Sequence, residues 1–421
     1  MDVREICLDN GDMVCDKNIL VNKFNKYSST IGANLSNALP QTLITFRNYL
    51  GSRVQQSIFL CPATNSEMIM CISKLKSGKA VWYDNIPSYF LKLIADIIST
   101  KLSYFFNASL ELGVFPASLK IARVVPIYKS GETNIMSNYR PISVLPCIAM
   151  LFEHLLHKRL TSFIDNHKII DKSQFGFQHR HTTSHAIIVM ISYIIDRVEE
   201  TKNTSVQLLL SWKKLSTLST MPYWNKYGIR GLAHQLLKNY LAERKQFVKI
   251  GCHQSHHALI TSGVPQESVL GPVSFFIFVN DIGLSSNLIS KFFADDTSLL
   301  DSDKSISILE KRVNAELVKV FNWMNANKIM LISLNVAPSK IFRQQQISIY
   351  INQISLENVN SLRHLGIHID HLLKWNTPID NLLGKFSRTV SICSMVLQFG
   401  TAHWNRLLIA WKYSKTEPYD R

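Results

Sequence analysis

The 421-residue chain carries 46 Lys and Arg against 30 Asp and Glu, a formal net charge of +16, and 46% of it is apolar. That apolar share is ample for a core and excludes wholesale disorder. The basic excess favours a polyanionic partner, nucleic acid before membrane, and the length suits one large multi-part domain or about three modules.

Seven cysteines (Cys7, Cys15, Cys61, Cys71, Cys147, Cys252 and Cys393) are scattered and odd in number, with no C-x-x-C pair. A reduced, intracellular protein of nucleus or cytoplasm, not secreted, is expected. Cys252, His253, His256 and His257 lie close together, but no second ligand cluster faces them, so no zinc site is assigned. The start, MDVREICLDNGDM, is acidic and has no apolar signal region. The run Val273 to Val279 is too short to span a bilayer, so no membrane partner is expected. Repeats and low-complexity tracts do not appear.

In chain order, residues 1–45 are polar and mixed, with Phe24-Asn25-Lys26-Tyr27 as one island, and read as a connector. From 65 to 125 the pattern turns helical: Ile69, Ile72 and Leu75, then Phe90, Leu91, Leu93, Ile94, Ile97 and Ile98, recur at helix spacing. Ile86-Pro87 and Gly113 to Pro116 break the helices. ARVVPIYKSGE (122–132) predicts a strand ending in a Lys-Ser-Gly turn, and NYRPISVLP (138–146) follows it. Ile148, Leu151, Phe152, Leu155, Leu156 and Leu160 share one helix face, with His154, His157, Lys158 and Arg159 on its wet side. In QFGFQHRHTTSHAI (174–187), Phe175 and Phe177 either stack on a partner or pack.

NYLAERKQFVKI (239–250) predicts a basic helix end running into a strand, and SGVPQESVLGPVSFFIFVNDI (262–282) a turn opening into an apolar helix. ISKFFADDTSLL (289–300) reads as a β-hairpin with Asp295 and Asp296 at its tip. Two adjacent acids repel, and each resists ionising beside the other unless a cation sits between them. Hard cations such as Mg²⁺ take such oxygen ligands, although an isolated Asp-Asp turn is more often simply solvated. Ile306, Leu309, Val313 and Leu317 are spaced as the buried face of a helix.

SGVPQ-x-x-VLGP, then an aromatic run, N-D-I and F-A-D-D, resembles the palm of jockey-like non-LTR retrotransposon reverse transcriptases. About nine motifs in the family's order cover roughly residues 20–395. The resemblance implies an α+β, right-hand polymerase fold with a small antiparallel palm sheet backed by helices: connector 1–45, fingers 46–200, palm 201–345, then a palm–thumb junction and truncated thumb over 346–421. It implies RNA-directed DNA polymerase activity with an RNA template, a DNA primer, dNTPs, and Mg²⁺ or Mn²⁺ on Asp295 and Asp296. The family's upstream endonuclease has no counterpart in this sequence.

The resemblance also implies individual roles. Lys129 and Arg140 match the fingers cations that meet the incoming triphosphate, and Gln266 the residue beside the nucleotide. Phe175, Gly263, Pro265 and Ser268 match template- or primer-contacting positions, and Lys340 a possible general acid. In LKSGKAVWYDNIP (75–87), Trp82-Tyr83 stand where a Gly is usual, and Glu267 stands where the family has Gly after Gln. SLRHLGIHIDHLLKW (361–375) matches the palm–thumb junction, and 376–421 reads as helical thumb.

The first palm strand departs from the pattern. The family reads like F-L-D-L-K-K-A-F-D-T-V-D-H, its first Asp binding both metals, whereas this chain reads LLLSWKKLSTLSTMPYW (208–224). Anchoring on Lys213-Lys214 puts Ser211 at that Asp; aligning without a gap from Ser216 puts Leu210 there. A neighbouring frame of codons compatible with Leu215–Trp224 spells A-F-D-T-V-D-H-A-I-L, which implies a frameshift near 214 and a compensating one near 225. Without the acid, one side of a two-metal clamp with ions roughly 3.5–4 Å apart is missing. The expected function is therefore reverse transcription impaired in this copy; the alternatives are an inactive nucleic-acid binder and, with least support, a metal-dependent nuclease.

Overall fold

The computed structural model describes residues 3, 5–7, 11–38, 45–49, 53–76, 82, 84, 86–176, 178, 181–197, 204–214, 221–260, 264–294, 296–339, 347–351, 354–356, 358–359, 361–365 and 367–370. In chain order these form β1 (Ile6–Cys7), β2 (Met13–Val14), α1 (Lys17–Ala38), α2 (Asn65–Ser73), α3 (Ser88–Leu93), α4 (Ala95–Leu112), β3 (Ile121–Tyr128), β4 (Tyr139–Val144) and α5 (Cys147–Asn166). There follow α6 (Thr183–Ile195), β5 (Thr204–Lys214), α7 (Met221–Lys226), α8 (Gly231–Leu241), β6 (Lys245–Ile250), β7 (His253–Gln254), β8 (Ala258–Leu259) and α9 (Gly271–Val279). The last are β9 (Ile289–Phe293), β10 (Asp296–Asp303), α10 (Ile306–Ala326), β11 (Ile329–Ser339), β12 (Tyr350–Ile351), β13 (Ile354–Ser355), β14 (Ser361–His364) and β15 (Ile367–Asp370). The mixture is α+β. It falls into two compact units: residues 1–171, 214–281 and 323–330, and residues 172–213, 282–322 and 331–421.

In the first unit, β4-β3-β6-β7 form a sheet with β8 also on β6. β3 and β4 are an antiparallel hairpin, and β3 runs parallel to β6. The stretch read as a connector lies inside this unit. Leu20, Val21 and Phe24 of α1 bury with Val124 of β3 and with Val248 and Ile250 of β6. Its polar appearance hid an apolar stripe of three residues.

Helix faces follow the breaks between helices. The α4 helix ends at Gly113, whose φ of +63° is the left-handed cap that glycine adopts without a Cβ penalty. Leu102, Phe106 and Leu110 bury at i, i+4 and i+8, whereas Leu93 and Ile97 are 77% and 80% exposed. The expected face from Phe90 to Ile98 is therefore corrected. Ile94 (φ −105°, ψ +17°) interrupts the helix between α3 and α4, and spacing across the break no longer defines one face.

The expected α5 face is buried through Leu151, Phe152, Leu155, Leu156 and Leu160. Arg159, expected on the wet side, is instead docked. Its Nη2 donates to Glu67 Oε2 at 2.9 Å and to the Pro62 carbonyl at 3.1 Å, and Nη1 to the Leu155 carbonyl at 3.0 Å. Beside it, the Glu67 carboxyl is held below its ordinary pKa; burial opposes the shift, and the Lys158 and Arg159 hydrogen bonds carry it.

In the second unit the sheet order is β11-β5-β10-β9. Ile187, Met190, Ile191 and Ile194 of α6 pack on Leu300 of β10, with Leu365 and Ile367 against the cluster. Of the face expected on α10, Leu309, Val313 and Leu317 are buried and Ile306 is half-buried; Val320, one turn on, is buried as well. Residues 371–421, expected to be thumb, lie outside the described residues. Among the described residues no helix is long and apolar enough to cross a membrane.

Candidate active site

The hairpin at the acid pair forms as its sequence predicts. Phe293 pairs with Asp296, which closes the hairpin of β9 and β10 just past Ala294. Ala294 has φ +55°, and two-residue hairpin loops favour positive φ because it matches the strand twist. Asp295 lies outside the described residues; Asp296 is half-buried at the start of β10.

The register settles which residue faces the tip. Asp296 is the Cα partner of Ser211 on β5, and Thr297 is the partner of Leu210. Leu210 is 1% exposed and belongs to the core. Ser211, the position reached by anchoring on Lys213-Lys214, is thus the residue across the ladder from Asp296. Directly opposed positions in an antiparallel pair place their Cβ atoms about 4.5–5.5 Å apart on one face. The residue at 211, across the ladder from Asp296, is a serine and not a carboxylate.

The segment 173–176 runs along β9. Phe175 N donates to the Phe292 carbonyl at 2.7 Å, and Phe292 N to the Ser173 carbonyl at 2.8 Å. A Cβ on Gly176 would collide with the backbone nitrogen of Ala294, so the glycine lets this segment press on the hairpin tip. Phe175 is 5% exposed, its ring edge-on to His181 and His185 and under the Lys291 ammonium. It packs; Phe177 lies outside the described residues. Further along β10, Asp301 and Asp303 are taken by Arg312, at 2.6 Å from Nε and 3.0 Å from Nη1. They are not metal donors.

The expected phosphate cations sit on the β3–β4 hairpin of the first unit. Lys129 N donates to the Asn138 carbonyl at 2.8 Å just past β3, and Arg140 on β4 pairs with Ile127. Both side chains are exposed. Ser143 N, three residues on, donates to the Gln266 carbonyl at 3.2 Å, tying this hairpin to the 264–270 turn. There Gln266 and Glu267 are exposed, while Pro265 and Ser268 are buried on the underside. Glu267 has φ +72°. The backbone thus takes the left-handed conformation that suits the family's glycine, with a glutamate in it. Gly263 and Lys340 lie outside the described residues.

Sequence reasoning passed over two buried networks in this unit. In one, Asp281 accepts from Trp323 Nε1 at 3.1 Å and lies 3.9 Å from Lys226 Nζ. Burial pushes its carboxyl up to about 7. In the other, Glu153 meets Tyr240 and the amide of Val269. The available signal was an acid inside the apolar run CIAMLFEHLL.

The profile of the family described as reverse transcriptase (RNA-dependent DNA polymerase) matches residues 127–369. The chain belongs to the reverse transcriptase family. It is 27% identical over 377 residues to the RNA-directed DNA polymerase from mobile element jockey of Drosophila melanogaster, covering 86% of this chain and 41% of that protein. A probable RNA-directed DNA polymerase from transposon BS of the same fly is 25% identical, covering 77% of this chain and 37% of its own length. The jockey counterpart from Drosophila funebris is 26% identical, covering 80% and 38%. The jockey-like resemblance read from the motifs holds, and the chain spans about two fifths of the length of these curated relatives.

Polymerases of this family use divalent metal ions. Among the described residues no group of three or more His, Cys, Asp or Glu could hold one. The position paired to Asp296 holds a serine and so brings no carboxylate there.

Proposed function

We propose that this chain is the polymerase core of a non-LTR retrotransposon reverse transcriptase that keeps its primer–template surface and is impaired in nucleotidyl transfer. The single observation that carries the impairment is the pairing of Asp296 with Ser211 inside an otherwise family-like hairpin. In this reading residues 46–200 act as fingers, 201–345 as palm and 346–421 as thumb, within a cell interior rather than outside it. The substrates are an RNA template, a DNA primer and dNTPs.

Arg140 supplies a bidentate fork and Lys129 a point charge to the triphosphate, and Gln266 faces the nucleotide. Gly263, Pro265, Ser268 and Phe175 are the residues this reading assigns to the template or primer. Lys340 is the candidate general acid. Asp295 and Asp296 are oxygen donors suited to Mg²⁺ or Mn²⁺, but without an acid at 211 they do not complete the clamp. A net charge of +16 supports the retained binding.

Binding of a fluorescent RNA–DNA primer–template duplex tests the reading. Counterion release predicts that log affinity falls steeply with log salt, by about 0.7–0.9 per phosphate contacted. Arg140→Ala weakens the dNTP-dependent component. A flat salt response, or no binding at low salt, overturns the proposal.

A further inference from the structure

Glu153 is the one acid on the buried face of α5, at 0% exposure. An ionised carboxylate in such a place costs several kcal/mol unless its oxygens are met, so its partners show what it is for. Oε2 accepts from Val269 N at 2.7 Å. Oε1 accepts from the Tyr240 hydroxyl at 2.7 Å. Tyr240, on α8, also lies beside the Ser268 hydroxyl. The guanidinium of Arg244, 1% exposed, stacks on the Tyr240 ring at 4.7 Å and donates through Nη1 to the Tyr240 carbonyl at 3.1 Å. Among the described residues its Nε and Nη2 make no hydrogen bond. Burial pushes the Glu153 carboxyl up, and the Arg244 charge and the hydrogen bonds to the carboxylate oppose that.

All of these contacts converge on one short segment. Val269 and Leu270 lie at the mouth of α9, whose first turn leaves amides without intrahelical partners. Ser268 N already closes the turn onto the Pro265 carbonyl at 3.1 Å. Gly271 is pressed so closely that an added Cβ would meet Ser268 Oγ at 2.9 Å. The far side of the turn is held by Ser143 N on the Gln266 carbonyl, at 3.2 Å. Gln266 and Glu267 thus stand exposed on a segment anchored at one end by a strand amide and at the other by a buried carboxylate.

We propose that Glu153 is a positioning residue for the nucleotide side of the reaction: its carboxylate, held by Tyr240 and balanced by Arg244, clamps the 264–270 turn and thereby sets the placement of Gln266. The inference rests on the polymerase reading above. Glu153 touches no substrate and acts only through the turn. A glutamine retains the shape and one acceptor oxygen but presents an amide nitrogen to one of the two sides now served by oxygens.

The test uses the full chain and Glu153→Gln, with Tyr240→Phe as a second variant that removes one partner of the carboxylate and leaves its contact with the Val269 amide. Hydrogen exchange of peptides covering 264–272 reads the clamp directly. Tightening of the complex with a dideoxy-terminated RNA–DNA primer–template by the next correct dNTP, in Ca²⁺, reads the consequence. Glu153→Gln speeds exchange in that segment at least tenfold, leaves β6 protection and duplex affinity within twofold, and reduces the dNTP-dependent tightening about tenfold. Tyr240→Phe shows a smaller loss of both. Unchanged exchange in Glu153→Gln overturns the clamp. Faster exchange with unaltered dNTP tightening makes the residue merely structural and overturns the positioning role. Absence of dNTP tightening in the unaltered chain is seen before any variant is made; it strikes the polymerase reading, and this inference falls with it.

Discussion

Replacing Glu267 by glycine separates two effects that the turn combines. At φ +72° the Glu267 Cβ crowds the following carbonyl, a conformation that costs an L-residue roughly 1–2 kcal/mol. Glycine removes that cost but surrenders more chain freedom on folding, about 0.5–1 kcal/mol. The net expectation for Glu267→Gly is a gain of about 0.5–1 kcal/mol in the stability of the unit carrying the turn. Glu267→Ala keeps the Cβ and therefore the strain, so its stability stays within about 0.5 kcal/mol of the unaltered chain. Both substitutions remove a carboxylate next to exposed Gln266, and both raise affinity for an RNA–DNA duplex, more at low salt than at high salt. Urea unfolding followed by tryptophan fluorescence measures the first quantity, and fluorescence anisotropy of the labelled duplex the second. Equal stability of the alanine and glycine variants would refute the backbone argument. Unaltered duplex affinity in both would refute the electrostatic one.

Three further outcomes follow from the packing. Gly176→Ala destabilises by about 1–3 kcal/mol, because the added methyl would collide with the backbone of Ala294, which cannot swing aside as a side chain can; thermal unfolding of the variant checks this, and a shift near zero would contradict it. Trp224→Ala costs about 3–5 kcal/mol in urea unfolding, since the ring is 1% exposed. His364 is buried beside Ser298 Oγ at 3.3 Å, and burial pushes its pKa down to about 4. With its folded pKa below the unfolded value, its contribution is full above pH 6.5 and is lost as pH falls toward 4. At pH 5 the loss relative to pH 7.5 is about 2 kcal/mol. Asp281, with its carboxyl raised to about 7, slopes the opposite way over the same range. The difference between the unaltered chain and His364→Gln isolates the histidine; no pH dependence in that difference would contradict the assignment.

What was legible in the sequence was local. The β3–β4 hairpin follows from a Lys-Ser-Gly turn, Gly131 at φ +95° included. The buried faces of α5 and α10 follow from helix spacing, and the β9–β10 hairpin from its acid tip. The apolar stripe of α1 escaped notice because Leu20, Val21 and Phe24 sit among polar neighbours and bury in a cluster that draws on strands about a hundred residues and more away, as well as on Val3 and Ile6. The choice between Ser211 and Leu210 was not legible at all. A one-residue slip moves every side chain of a strand to the other face, and only the pairing with β10 fixes the register. The segment read as frame-shifted gave a further surprise. Residues 215–220 lie outside the described residues, yet Tyr223 and Trp224 are 0% and 1% exposed. The Tyr223 hydroxyl donates to Asn327 Oδ1, and its ring meets Phe278 edge-on. Met221–Lys226 thus forms a helix with a well-packed face, although the composition of LSTLSTMPYW conflicts with the family's strand and turn.

Primer extension on an RNA template with Mg²⁺ tests the central claim most directly, with the unaltered chain, Ser211→Asp, and Ser211→Asp combined with Asp296→Ala run side by side. The account predicts little or no extension by the unaltered chain, extension gained with Ser211→Asp, and its loss when Asp296 is removed. Robust extension by the unaltered chain, or no gain from an acid at 211, would contradict it.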